Sequence, residues 1–176
     1  MSITVRPATE EYASVITDIG KRVFRETFGP VSPPEELEKY LKESYTTEVQ
    51  CRELNDPSRY TFIAFNEENT PVGFCQLRNN KEVYDFVNDP EAIELQRVYV
   101  DLNCGGKGIG SKLVQEAIRK ARDLGKKTIW LGVNETNLPA IALYKKHGFC
   151  KAGVHVFKLG DMDDTDDVMV KRLIEA

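Results

Sequence analysis

A chain of 176 residues, 41% apolar and 30% charged, is long enough to bury a core and has the composition of an ordinary globular protein, so one domain over 1–176 is expected. The formal net charge of −4 leaves no basic footprint and argues against nucleic acid as a partner. No apolar run approaches the span of a bilayer, and the first residues, MSITVRPATEEY, lack the apolar core of a signal peptide, so the sequence predicts a cytoplasmic protein with no membrane partner.

Residues 3–8 read as a short first strand. From Glu10 to Phe28 the apolar positions Val15, Ile16, Ile19, Val23 and Phe24 recur at three and four residues, the period of a helix, and Gly29-Pro30 ends it. A second helix is predicted in SPPEELEKYLKES, with Ser32 as its cap, prolines near the first turn and acids after them. A third, short helix is predicted over Thr47–Leu54. The runs 59–66 and 72–77 enclose the polar turn EENTP and read as a hairpin. A loop rich in Asn, Asp and Glu leads into a longer strand, AIELQRVYV, over 92–100.

A helix from about Gly108 to Leu124 carries Leu113, Val114, Ala117, Ile118, Ala121 and Leu124 as one apolar stripe, and Gly125 closes it. Residues 128–133, TIWLGV, have almost no polar face, as in a strand covered on both sides. Residues 92–133 therefore form a strand–loop–helix–strand unit, read as a crossover between parallel strands. A helix over Pro139–His147 follows. Two strands, 149–160 and 167–174, flank DMDDTDD, read as an acidic turn.

The cysteines, Cys51, Cys75, Cys104 and Cys150, contain no C-x-x-C pair and read as free thiols. No ligand spacing suggests zinc, and a nucleophilic Cys104 would need one of the two histidines, His147 or His155, beside it.

Residues 105–110 hold four glycines in six positions, just where a helix begins. The first N–H groups of a helix have no partner within it, and the local dipole is positive. Bare backbone there can close several N–H groups on an anion, commonly phosphate, and Lys107 adds a mobile charge. The Walker pattern fails because Ser111-Lys112 stands where Lys-Ser or Lys-Thr is needed. The dinucleotide fingerprint would have Ser111 at its third glycine, and a hairpin precedes the unit where a parallel series is expected.

A third pattern fits. Gly108 and Gly110 follow a strand ending in Val98 and Val100 and open a helix, and downstream stands N-x-x-A-x-x-x-Y-x-x-x-G-F, with Asn137, Ala140, Tyr144, Gly148 and Phe149. In these two elements the chain resembles the GCN5-related N-acetyltransferases, the GNAT family. The resemblance implies an α/β fold with a mixed, mostly antiparallel sheet of about seven strands flanked by helices. It also implies a splayed parallel pair at the cofactor site. Acetyl-CoA would be the co-substrate, with no metal. Backbone at Val98, Tyr99 and Val100 would meet the pantetheine arm. N–H groups of Gly105, Gly106, Lys107, Gly108, Ile109, Gly110 and Ser111 would hold the pyrophosphate, and Asn137 would contact the CoA chain. Gly105 departs from the pattern: the family has Arg or Gln there, so a weaker grip on the cofactor is expected.

The reaction so implied is attack of an amine on a thioester, in which the amine must lose a proton and the leaving thiolate must gain one. Tyr144 matches the family's general acid, and a backbone N–H at Val98 would meet the oxyanion. Strand alternation puts Glu94 and Gln96 on one face with Val98 and Val100, and of these Glu94 is the candidate base. A mid-strand carboxylate can equally be a satisfied ion pair.

RETF (25–28), KKTIWLGVNE (126–135) and G-x-H-x-F-x-x-G-D (153–161) further resemble the PaiA-type branch, bacterial proteins that acetylate polyamines such as spermidine and spermine. The partner so implied is a small-molecule amine. The aspartates of DMDDTDD suit a polycation, although they serve equally as a solvated turn. Acetylation of protein or peptide amines, and acetyl-CoA binding without turnover, are the alternatives. A homodimer is common in the family.

Overall fold

The structure, a computed structural model, describes residues 2–80, 82–104, 108–159 and 162–173. Seven strands form one sheet: β1 (Thr4–Pro7), β2 (Arg59–Phe65), β3 (Pro71–Arg78), β4 (Ile93–Val100), β5 (Thr128–Asn134), β6 (Cys150–Leu159) and β7 (Met162–Arg172). Their order is β1-β2-β3-β4-β5-β7-β6. Every neighbouring pair is antiparallel except β4 and β5, so the expected mixed sheet with one parallel pair is observed. Among the described residues, no helix is long and apolar enough to cross a membrane.

Helices cover both faces. On one side, α1 (Ala13–Phe28) buries Ile16, Ile19 and Val23 against Ile63, Phe65 and Phe74 of the hairpin, the stripe its three-and-four spacing predicts. A single 3₁₀ turn, Glu10–Tyr12, precedes it. Next to it lie α2 (Pro34–Ser44) and α3 (Thr47–Leu54). The N-terminus of α2 differs from expectation: the cap position is Pro33, no side chain caps it, and Ser32 lies outside. The two prolines open the helix without a cap, because Pro34 at its first position lacks the N–H that would be left unpaired. In α3 the Thr46 hydroxyl accepts from the Val49 N–H at 3.1 Å, a side-chain cap.

On the opposite face, α4 (Ile109–Asp123) buries Leu113, Val114, Ala117, Ile118 and Ala121. These pack on Cys75, Leu77, Ile93, Leu95, Ile129 and Leu131 to form the largest apolar cluster. The short helix α5 (Leu138–Lys146) packs beside α4.

From Met162 onward the acidic run is not a turn, and Asp161 lies outside the described residues. β7 begins at Met162, so Asp163–Asp167 are strand residues paired with β6, His155 opposite Asp166. Cross-strand charges stabilise this register: Lys151 lies 3.2 Å from Asp167 and Lys158 3.7 Å from Asp163. The four cysteines are free thiols.

Leu113 is fully buried beneath β3 and β4. Leu113→Ala should destabilise the fold by about 3 kcal/mol, the usual cost of a Leu-sized cavity, measured as a lower urea midpoint with an unchanged denaturant slope.

Candidate active site

The site is built around an irregularity in β4. The β3–β4 register runs Gln76↔Arg97 and then Leu77↔Leu95, so Gln96 is an extra residue. Such a β-bulge bends a strand and interrupts its alternation. Ile93 and Leu95 face α4 before the bulge, and Val98 and Val100 face it afterwards. Glu94 therefore shares the opposite face with Arg97 and Tyr99, not with Val98 and Val100. The expectation that Glu94, Gln96, Val98 and Val100 form one face is corrected on this ground.

At the same place β4 leaves β5. Their parallel pairing is limited to Ile93↔Ile129 and Glu94↔Trp130, after which the strands splay. A cavity of about 700 Å³ occupies the gap, within the ~300–1,000 Å³ typical of ligand sites. It reaches from Asn137, the cap of α5, and Ala140 and Tyr144 on that helix, past Val98, to Phe24, Phe28 and Tyr40 on α1 and α2. The cavity thus passes through the sheet plane.

On the helix α1 side the wall is aromatic and acidic. Phe24 stacks on Tyr40 and touches Phe28, with centroids 4.6 and 4.4 Å apart. Tyr84 packs against Trp130 and His155 at 5.4 and 4.9 Å. Glu82, Glu94 and Asp166 line the same space. Glu94 is 8% exposed. Its Oε1 accepts from Arg78 in a close ion pair and from Asn80 at 3.3 Å. The candidate base is thus already an ion-pair partner. Asp166 differs: it has neither a hydrogen bond nor an ion pair among the described residues. Burial, helped by Asp164 and opposed by His155, pushes its carboxyl up to about 6.

Beneath this wall lies a buried polar network. Arg97 donates to Gln76 at 2.5 Å and to Glu53 at 2.7 Å, and its guanidinium lies over the Tyr45 ring. The Tyr45 and Tyr99 hydroxyls are 2.8 Å apart. Burial pushes the Tyr99 phenol up to about 12, which keeps it neutral.

On the other side, Tyr144 on α5 is 8% exposed and packs edge-on to Phe149. Its hydroxyl has no hydrogen-bond partner among the described residues, and burial raises its pKa above the ordinary value, so it holds its proton. The side chain of Asn137 caps α5, its Oδ1 accepting from the Ala140 N–H at 3.3 Å. At the head of α4, Gly108 has φ +74°, a conformation that L side chains rarely adopt. A side chain on Gly110 would meet Leu143 at 3.0 Å, so this glycine lets α4 and α5 approach closely. Ser111 Oγ lies 3.0 Å from His147 Nε2, a second tie between the same helices. Gly105, Gly106 and Lys107 lie outside the described residues.

Of the residues singled out in the sequence, Glu94, Val98, Tyr99, Asn137 and Tyr144 line one cavity, whereas Gly108, Ile109, Gly110 and Ser111 open α4. Sequence reading had Asp166 only as one of the aspartates of the acidic run, and it missed the places of Trp130 and His155 in the site and the Arg97 network. The signal for Asp166 was present: Val168 and Val170 are inward residues of β7, and period-two alternation carried back two positions reaches Asp166.

Residues 22–149 match the profile of the Acetyltransferase (GNAT) family, and the chain belongs to that family. It is an acetyltransferase. It is 30% identical over 160 residues to an uncharacterized N-acetyltransferase in the pepI 3′ region of Lactobacillus delbrueckii subsp. lactis, covering 89% of each chain. It is 28% identical over 174 residues to the spermine/spermidine N(1)-acetyltransferase of Bacillus subtilis, covering 98% of this chain and all of that one. The fold matches the PaiA N-acetyltransferase of Thermoplasma acidophilum in complex with coenzyme A, with a TM-score of 0.77 and 23% identity, over 98% of this chain and 99% of the other.

Removing Arg97 leaves the largely buried Glu53 with only the more distant Arg59, at 3.8 Å. Arg97→Met should therefore cost about 3 kcal/mol of stability. The double variant with Glu53→Gln should recover part of that loss in urea unfolding, because no unpaired charge remains.

Proposed function

We propose that this enzyme moves the acetyl group of acetyl-CoA to a primary amine of a polyamine such as spermidine or spermine, by direct attack. The observation that carries the reading is the cavity through the β4–β5 splay, with an unpartnered tyrosine hydroxyl on one side and carboxylates among aromatic rings on the other. Beyond Glu94, β4 has no β5 partner, so backbone at Val98, Tyr99 and Val100 is free to bond the pantetheine arm as an added strand would. The N–H groups at the head of α4, from Gly108 to Ser111, suit the pyrophosphate. Gly105, Gly106 and Lys107 are proposed with them on the sequence resemblance. Asn137, whose Oδ1 is committed to the helix cap, keeps its amide N–H₂ for the CoA chain.

Acetyl-CoA supplies the acetyl group as a thioester. The amine enters from the side of α1 and α2, loses a proton and attacks the carbonyl carbon. The developing oxyanion is met by the N–H of Val98. As the C–S bond breaks, Tyr144 gives its proton to the sulfur, and the second proton shed by the nitrogen on becoming an amide restores the phenol. Relatives named for spermine and spermidine acetylation, from Bacillus subtilis and Thermoplasma acidophilum at 28% and 24% identity, support a polyamine acceptor. So do the acids and aromatic rings of the entry wall, because alkyl ammonium groups favour carboxylates and aromatic faces.

A thiol-release screen with spermidine, spermine, diamines, aminoglycosides and short peptides tests this reading, and turnover should be greatest with the polyamines. Preference for a peptide would overturn it. Tyr144→Phe should lower kcat roughly 100-fold, while calorimetry shows acetyl-CoA binding unchanged.

A further inference from the structure

The carboxylate that takes the proton from the attacking amine need not be the one on β4. We infer that Asp166, on β7, is that proton acceptor, and that Glu94 has an electrostatic and structural role through Arg78. The inference rests on the reading of the cavity as the amine site of an N-acetyltransferase.

Three observations support it. The first is placement. Asp166 lies on the cavity face of β7 and lines the cavity together with Tyr144 and Val98. Its carboxylate leans over Gly132 of β5, where a Cβ would come within 3.3 Å of Oδ2. Any larger residue at 132 would displace it. Gly132 is exposed within a strand whose other six residues are buried, and the opening lies toward the splay.

The second observation is availability. Protonating Glu94 would break its pair with Arg78 and leave that cation unmatched beside the cavity. Asp166 has no such partner among the described residues, so taking up a proton there breaks no ion pair. The third concerns what else faces the space. Trp130 is 3% exposed and lines the cavity, and its indole N–H has no acceptor among the described residues. An occupant carrying a lone pair, as a neutral amine does, would meet that need.

The groups facing Asp166 set its behaviour. They are His155 from β6, Asp164 and Asp167 from β7, and Tyr84 from the loop before β4, with Glu94 and Arg78 across the cavity. Burial first, then Asp164, raise its carboxyl to about 6. It is therefore ionised at neutral pH, yet more basic than an ordinary aspartate, as a general base should be. In the step itself one ammonium N–H proton passes to a carboxylate oxygen of Asp166. The freed nitrogen lone pair then forms the C–N bond as the C–S bond breaks, the nitrogen's second proton replaces the one Tyr144 gave to the sulfur, and the proton on Asp166 is later lost to solvent.

The test is kcat and KM as functions of pH for the wild type, Asp166→Asn, Asp166→Glu and Glu94→Gln. Two acceptors are used: spermidine, which is protonated at neutral pH, and methoxyamine, which is not. With spermidine, the wild type should lose kcat/KM as pH falls through about 6. Asp166→Asn should lose roughly 100-fold in kcat together with that acid limb, but lose little with methoxyamine, which arrives already neutral. Asp166→Glu should be slower than the wild type and keep an acid limb. It also serves as the reading if the asparagine variant fails to fold. Three results would overturn the proposal: an acid limb surviving in Asp166→Asn, an equal loss on both amines, or a rise in KM with kcat intact. The whole pattern appearing in Glu94→Gln would do the same. Wild-type protein that acetylates neither amine would overturn the polyamine reading, a failure visible without any variant.

Discussion

The extra residue at Gln96 lets one strand do two incompatible things. β4 must stay paired with β3 to keep the sheet whole, and it must leave β5 to make room for a substrate. A regular strand twists smoothly and keeps both neighbours. A bulge adds a local bend and shifts the side-chain parity by one, so pairing with β3 resumes at Arg97 while the edge toward β5 swings open. On that edge, the backbone N–H and C=O groups beyond Glu94 are left without a strand partner. Such groups cost about 1–3 kcal/mol each if buried dry, which is why the gap beside them is a cavity and not a packed core.

The change of parity also sorts the chemistry. With it, Leu95, Val98 and Val100 all reach the apolar layer under α4, and Glu94, Arg97 and Tyr99 all reach the opposite face. The cations on that face are matched, Arg97 by Glu53 and Arg78 by Glu94. The arithmetic of charge then leaves Asp166 and the exposed Glu82 as the carboxylates lining the cavity that lack an ion pair among the described residues. A space with matched cations and unmatched carboxylates attracts a positively charged acceptor, and the rings of Phe24, Tyr40 and Tyr84 favour one with an alkyl body.

Much of this was legible in the residues. The helix periods of α1 and α4, the hairpin β2–β3 and the parallel pair around α4 follow from spacing, because amphipathic periodicity is local. The bulge left a trace as well: in Ile93-Glu-Leu95-Gln-Arg-Val98-Tyr-Val100 the apolar positions slip by one between Leu95 and Val98. Assuming strict alternation across that slip put Glu94 on the wrong face. The acidic run was read as a turn because five aspartates in seven residues oppose strand propensity. Ladder pairing of β7 with both β5 and β6 overrides that local preference, and nothing near position 166 in sequence announces those partners. The Arg97 network joins α3, β3 and β4 over 21 to 44 residues of sequence, a separation that no local pattern reports.

The proposed reaction needs a proton removed on the amine side and another supplied on the sulfur side, and the splay separates the two. Burial acts on both sides in the same direction, raising the pKa of a phenol and of a carboxyl alike, because each is neutral when protonated. The consequences are opposite. Tyr144, pushed further above neutrality, keeps the proton it is to donate. Asp166, drawn up from the acid range toward neutrality, stays ionised while gaining affinity for a proton. One low-dielectric cavity can therefore prepare an acid and a base together, provided the carboxylate is not neutralised by a cation, and that condition separates Asp166 from Glu94.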